Sequence, residues 1–254
     1  LGGGVTGDLT GFAAATYLRG IDFVQIPTSL LAQVDSSIGG KTGVDYHAYK
    51  NMVGAFYMPK LVYINVNTVK TLSERQYHSG LGEVIKHGLI RDKAYFEWMK
   101  DNKEAVAKRE DEALAYMIEG SCEIKRAVVE EDPKEHGVRA LLNFGHTYAH
   151  AIEQYYHYEK YSHGEAVGIG MYQITKLAES LDLTKTESSM QIKEILQKYN
   201  LPYECQVETK NLIQAISLDK KNINNSLSVV LLKEIGDSYV YQTNQEFLLK
   251  KERV

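Results

Sequence analysis

GGGVTGD (residues 2–8) runs into LTGFAAATYL (9–18), and FVQIP (23–27) follows close behind. Four glycines in seven residues predict a flexible turn. Asp8 is placed to cap the helix that follows, and Gly11 inside it marks a close packing point. Phe23 to Ile26 is a short apolar run ended by Pro27, which predicts a buried strand. Glycine loop, helix and buried strand together are the signature of an α/β unit. Such a loop can set bare backbone N–H groups and a helix N-terminus against a phosphate. A tight turn before a helix would look the same, and the glycine spacing differs from the usual dinucleotide fingerprint.

Working outward, a polar, glycine-bearing stretch (28–51) precedes KLVYINV (60–66), a second expected buried strand. From about Thr71 the pattern changes to helical periodicity, over 74–90, 92–131, 139–156, 163–181 and 186–199. Pro202 ends the last of these. A further helix is expected over 209–218, then a polar loop at 219–222. Ser228–Leu232, the Gly236-Asp237 turn and Tyr239–Gln242 predict a β-hairpin. The domains expected are therefore 1–72, part of a nucleotide-binding α/β domain, and 73–254, a mainly helical domain.

The 254 residues are 44% hydrophobic and 24% charged, ordinary for a globular protein. A net charge of −4 argues against a general nucleic-acid binder. No apolar run approaches the roughly 20 residues that span a bilayer, and Leu-Gly-Gly-Gly does not open like a signal peptide. Cys122 and Cys205 show no ligand spacing and read as small residues of a reduced, cytoplasmic protein. The glycine loop begins without a preceding strand, as in the later part of a longer chain.

NFGHTYAH (143–150) sets His146 and His150 four residues apart, on one helical face. Glu83 lies in GLGEVIKHG on another expected helix, with Lys86 one turn later, and His163 opens a third in SHGE. A carboxylate with two imidazoles suits a catalytic divalent metal such as zinc, which keeps one position open. Spacing alone nominates His146 with His150. With eight histidines in the chain, pairs bonded to carbonyls or water are the ordinary alternative. Lys86 and Lys125 could equally be solvated helix faces. Arg139 precedes an apolar helix, where an unpaired charge would be costly. KDNKEAVAKREDEALA (100–115) reads as a solvated helix surface, and the tyrosine-rich stretches as packing.

GGGVTGD, Arg19-Gly20, PTSLLAQVDSSIGGKTGVD (27–45), Lys50-Asn51, GAF (54–56), GEVIKHG (82–88), LLNFGHTYAH (141–150), HGEAVGIGM (163–171) and SLDKKN (217–222) occur in this order. Together they resemble the 3-dehydroquinate synthase family of sugar-phosphate cyclases. The resemblance implies the C-terminal part of a Rossmann-like NAD-binding domain followed by a mainly helical metal-binding domain. It also implies NAD and one divalent metal, Zn2+ or Co2+, as cofactors, and a homodimer. The activity implied is phosphate elimination from a keto-acid sugar phosphate, closing a carbocycle.

Position by position, the resemblance gives Glu83, His146 and His163 as the metal ligands. The backbone of Gly4, Val5, Thr6, Gly7 and Asp8, with Thr28, Ser29, Lys41, Lys50, Thr68, Val69, Lys70 and Thr71, becomes the NAD contact set. Asp35, Lys86 and Asn143 surround the reacting hydroxyls, with His150 on the substrate phosphate. Lys125 and Arg139 form a carboxylate clamp. Lys41, Asn51, His150 and Lys220 cradle the phosphate, with Arg19 reaching in from a second subunit. A related cyclase and a metal-dependent polyol dehydrogenase are the nearest competing enzymes. A catalytically dead scaffold should lack a ligand or lysine, and none is missing.

Overall fold

A computed structural model describes residues 1–46, 49–207, 211–212 and 227–249. Two compact units divide the chain: Leu1–Gly80 with Glu104–Arg139, and Leu81–Lys103 with Ala140–Val254. The expected break at residue 72 follows a change of sequence pattern, whereas these units follow contacts. Residues 104–139 therefore pack with the first unit although they are helical.

In the first unit, α1 (Gly4–Thr16) starts inside the glycine run. Gly3 is its N-cap and Asp8 lies within the helix, which corrects the expected cap. Gly2 forms a parallel bridge to Pro27, with Gly2 N–H donating to Ile26 C=O and Thr28 N–H to Gly2 C=O. Strands β1 (Val24–Gln25) and β4 (Leu61–Val62) pair in parallel. Both are shorter than the apolar runs predict. Between them the polar, glycine-bearing stretch, to which no element was assigned, folds into a π-helical turn, Ala32–Ser36, and a hairpin of β2 (Lys41–Tyr46) and β3 (Tyr49–Phe56). The missed hairpin lacks strict apolar alternation. Its stability comes from packing on α1, where Gly11 approaches so closely that a Cβ would sit 2.5 Å from Thr42 Cγ2.

The expected helix over 92–131 is three helices: α3 (Lys93–Asp101), α4 (Lys103–Ala107) and α5 (Asp111–Glu131). Arg109, at φ +57°, makes the break before α5. Its guanidinium donates to the carbonyls of Lys70 (3.0 Å) and Leu72 (2.9 Å) and lies 4.5 Å from the Tyr77 ring centre. The charge run 100–115 is thus not one solvated surface. Val106, Ala113 and Leu114 are buried within it.

In the second unit, α2 (Glu74–Arg91, of which 81–91 belong here) leads to α6 (His146–Tyr155), α7 (His163–Ser180) and α8 (Ser188–Lys198). The α7 face that buries Ala166, Val167, Ile169, Met171 and Ile174 forms the centre of this core. The hairpin β5 (Leu227–Glu234) and β6 (Asp237–Thr243) turns at Gly236, φ +89°, as expected. The helix predicted over 209–218 lies outside the described residues except Asn211 and Leu212, which are helical. The loop 219–222 lies outside them too. The architecture is α/β plus α.

Candidate metal centre

Two close backbone approaches build the centre. A Cβ on Gly82 would run into the Gly164 carbonyl and lie 2.7 Å from its Cα. Glycine at both positions lets α2 and α7 touch, bringing Glu83 beside His163. A Cβ on Gly170 would likewise strike the Gly145 carbonyl, so α6 meets α7 just where His146 begins. No side chain could enter either contact without pushing the helices apart.

Glu83 is completely buried, and its Oε1 has no hydrogen-bond partner. His163 Nε2 stands 3.4 Å and His146 Nε2 3.7 Å from that oxygen. Tetrahedral bonds of about 2.0–2.1 Å would set neighbouring ligand atoms about 3.4 Å apart. The separations therefore suit three ligands around one ion, and an orphaned buried carboxylate oxygen is the kind of atom an ion satisfies. The ligand atoms of Glu83, His146 and His163 all fall within 4.8 Å of one another, a group that does not include His150. His150 is exposed, its ring 5.5 Å edge-on to that of His146.

Each imidazole presents Nε2 to this point because its Nδ1 is engaged. His146 Nδ1–H donates to the Phe144 carbonyl at 3.1 Å, and His163 Nδ1 faces Glu153 Oε1 at 3.3 Å. Lys86 is buried and pairs with Glu83 Oε2, so it is not a solvated face. Burial pushes the Glu83 carboxyl up, but the Lys86 charge and the two imidazoles outweigh it and hold it well below the usual range. Burial, aided by Lys86, drives His146 down to about 3. Burial also lowers His163, yet the carboxylates of Glu153 and Glu83 on its two sides carry it up to about 10. Glu83 and Lys86 thus form a buried ion pair against which both imidazoles stand.

In the first unit, Asp8, Asp35, Lys41, Thr42, Phe56 and Lys125 line one cavity of about 440 Å³. Lys125, also buried, donates to Asp35 Oδ1 at 2.7 Å and to the Asp35 carbonyl. Lys41 pairs with Glu135 at 2.5 Å. Glu135 was not among the residues singled out in the sequence, where its place in the loop after α5 gave no signal. Arg139 is 1% exposed, and its guanidinium donates to the carbonyls of Pro133 (2.6 Å) and Gly39 (2.8 Å). Its Nε has no acceptor.

The start of α1 carries no side-chain cap and no acid in its first turn, which leaves its first N–H groups open to an anion. Ser29 and Ser36 hydroxyls lie where Cβ atoms on Gly3 and Gly4 would meet them. Thr68 accepts from Gln33 Nε2 at 2.9 Å, Thr71 Oγ1 bonds the Thr68 carbonyl, Val69 is buried, and Lys70 pairs with Asp111. Thr28 is half-buried, and Arg19 is exposed at φ +67°. Asn143 is exposed just before α6. Lys50 and Asn51 lie on β3 with side chains outside the described residues, as does Lys220 entirely.

Comparison with known proteins divides the chain near residue 80, with 104–139 on the C-terminal side although they pack with the first unit. The 3-dehydroquinate synthase N-terminal family profile matches residues 1–79 and the C-terminal profile residues 80–222. A 3-dehydroquinate synthase of Clostridium beijerinckii is 56% identical over 97% of this chain and 70% of its own length. One from Clostridium perfringens is 54% identical over the same shares. Among solved structures, 2-epi-5-epi-valiolone synthase from Streptomyces hygroscopicus subsp. jinggangensis, with NAD+ and Zn2+ bound, superposes at TM-score 0.88. It is 27% identical over 98% of this chain and 70% of its own. A 2-deoxy-scyllo-inosose synthase complexed with carbaglucose-6-phosphate, NAD+ and Co2+ also reaches 0.88, at 25% identity over 98% and 71%.

The α/β and helical elements are those of the sugar-phosphate cyclase class of fold. Within that class, the chain belongs to the 3-dehydroquinate synthase family.

Proposed function

We propose that this chain carries the working centre of a 3-dehydroquinate synthase, which converts 3-deoxy-D-arabino-heptulosonate 7-phosphate to 3-dehydroquinate and phosphate. The observation that carries the reading is the buried Glu83–His146–His163 group beside Lys86, in a chain at least half identical to 3-dehydroquinate synthases over nearly its whole length.

Glu83, His146 and His163 would hold a divalent ion, zinc or cobalt, and the N-terminus of α1 would take the pyrophosphate of NAD. When bound, the ion acidifies a substrate hydroxyl and NAD accepts and returns a hydride, so oxidation serves only to acidify the neighbouring C–H. Lys86 holds Glu83 ionised and oriented. Asp35 is oriented by Lys125, and Asp35, Lys86 and Asn143 are assigned to the reacting hydroxyls. Lys125 and Arg139 supply positive charge for the substrate carboxylate. Lys41, Asn51, His150 and Lys220 do so for its phosphate, lysines acting as point charges and arginine as a fork. NAD contacts are assigned to Gly4–Asp8, Thr28, Ser29, Lys41, Lys50 and Thr68–Thr71. Among the described residues no helix is long and apolar enough to cross a membrane.

A metal-dependent polyol dehydrogenase would use the ion and the nucleotide but release NADH. Incubation with the keto-acid phosphate, NAD and zinc should release one phosphate per substrate with no lasting rise in nicotinamide absorbance. NADH accumulating in solution would instead point to a dehydrogenase.

A further inference from the structure

His163 is held from both sides. Its Nε2 faces Glu83 Oε1 at 3.4 Å, and its Nδ1 faces Glu153 Oε1 at 3.3 Å. Glu153 sits on α6 seven residues after His146, two turns along the same helical face. It is buried, with only 7% of its side chain exposed. The other imidazole of the group is treated differently, since His146 Nδ1 donates to a neutral carbonyl of its own chain segment, Phe144.

A buried glutamate is costly unless a cation or several donors face it. The cation-forming group that faces this acid is the imidazole of His163 at the start of α7. The acid sits where it can accept the Nδ1 proton of one imidazole. That bond selects the tautomer with an Nε2 lone pair, aims the ring, and makes the nitrogen a stronger donor to an ion.

We propose that Glu153 is the positioning residue of the metal centre. It fixes His163 by a carboxylate–imidazole hydrogen bond, so the two imidazoles are unequal ligands. This rests on the reading of Glu83, His146 and His163 as a metal site. The position has a sequence signature, histidine at 146 and 150 with glutamate at 153, but the glutamate meets His163 only because the chain between α6 and α7 turns back.

The test compares the protein with Glu153→Gln and Glu153→Ala, each stripped of metal and titrated with zinc against a chromophoric chelator, then loaded with cobalt for its visible absorption. Glutamine keeps an acceptor oxygen but loses the charge. Zinc affinity should fall by about tenfold in Glu153→Gln and towards a hundredfold in Glu153→Ala. The cobalt bands should shift in both, while thermal unfolding of the metal-free forms shows a folded protein. Unchanged affinity and cobalt spectrum in folded variants would overturn the role of Glu153. Lowered melting temperature with an unchanged cobalt spectrum would also overturn it, as the mark of packing alone. Absence of stoichiometric zinc from the unaltered protein would instead overturn the metal reading beneath it.

Discussion

His146 and His150 are the pair that helical spacing puts forward, yet they differ in what surrounds them. His146 turns Nε2 toward a buried carboxylate, while His150 is exposed one turn further on. His163→Ala should therefore abolish stoichiometric metal, measured by plasma emission on dialysed protein, and His150→Ala should leave it largely intact. The reverse pattern would return the ligand role to the spaced pair. A second residue-scale effect concerns Asp8. Burial first, then the nearby Asp35 and Asp45, raise its carboxyl to about 6, against an opposing pull from Lys125. A carboxyl raised on folding favours the native state in its protonated form. Its contribution is complete below the unfolded value near 3.8 and is lost as pH rises through about 6. Asp8→Asn should thus stabilise the metal- and nucleotide-free protein at pH 7.5 by about 1–2 kcal/mol, after allowance for solvent screening. The gain should vanish at pH 4. Equal melting temperatures of variant and parent at pH 7.5 would show that Asp8 ionises freely.

At the scale of elements, the centre depends on helices that touch through backbone. The contact of Gly170 with the Gly145 carbonyl joins α6 to α7, and that of Gly82 with Gly164 joins α2 to α7. Because the obstructing atoms are backbone, no rotamer change relieves an added methyl. Gly170→Ala should cost about 1–3 kcal/mol by overpacking. It should also weaken zinc binding by widening the distance between His146 and His163. As a control away from this contact, Tyr155→Ala at an exposed α6 position should leave zinc affinity unchanged. Zinc affinity retained in Gly170→Ala, with only the melting temperature lowered, would separate helix packing from ligand placement. The first unit uses the same device at Gly11 against Thr42, which seats the missed hairpin on α1.

For the whole molecule, the assigned roles require more than one chain if Arg19 serves a neighbour. It stands exposed after α1, where Leu18 at φ +50° and Arg19 at φ +67° are both left-handed. In a symmetric dimer each site would take Arg19 from the partner. Arg19→Ala and His146→Ala are each expected to be inactive, and co-assembled heterodimers should recover one site's worth of activity per dimer, about half that of the parent dimer. Sedimentation must first show mixed dimers. Heterodimers that stay inactive would place Arg19 outside the shared site.

Read as sequence, the chain already declared a glycine-led α/β start, the helices over 74–90, 163–181 and 186–199, and the Gly236 hairpin. These rest on local chemistry: periodicity, caps and turn residues act over four or five positions and need no distant partner. The residue types of the centre were legible for the same reason, since GEVIKHG, NFGHTYAH and SHGE each carry their own helix start or face. Which of those residues meet was given only by the family resemblance, since spacing alone nominated His146 with His150. The choice of His163 over His150, the burial of Lys86 and Lys125 as paired charges, the engagement of Arg139 with two carbonyls, and the partner of Glu153 all depend on helices remote in sequence. So did the breaks in 92–131, where Arg109 finds its acceptors at Lys70 and Leu72, and the hairpin of 41–56, whose faces are set by α1. A charge can be kept in a dry interior only by a partner, and tertiary packing alone decides which partner arrives.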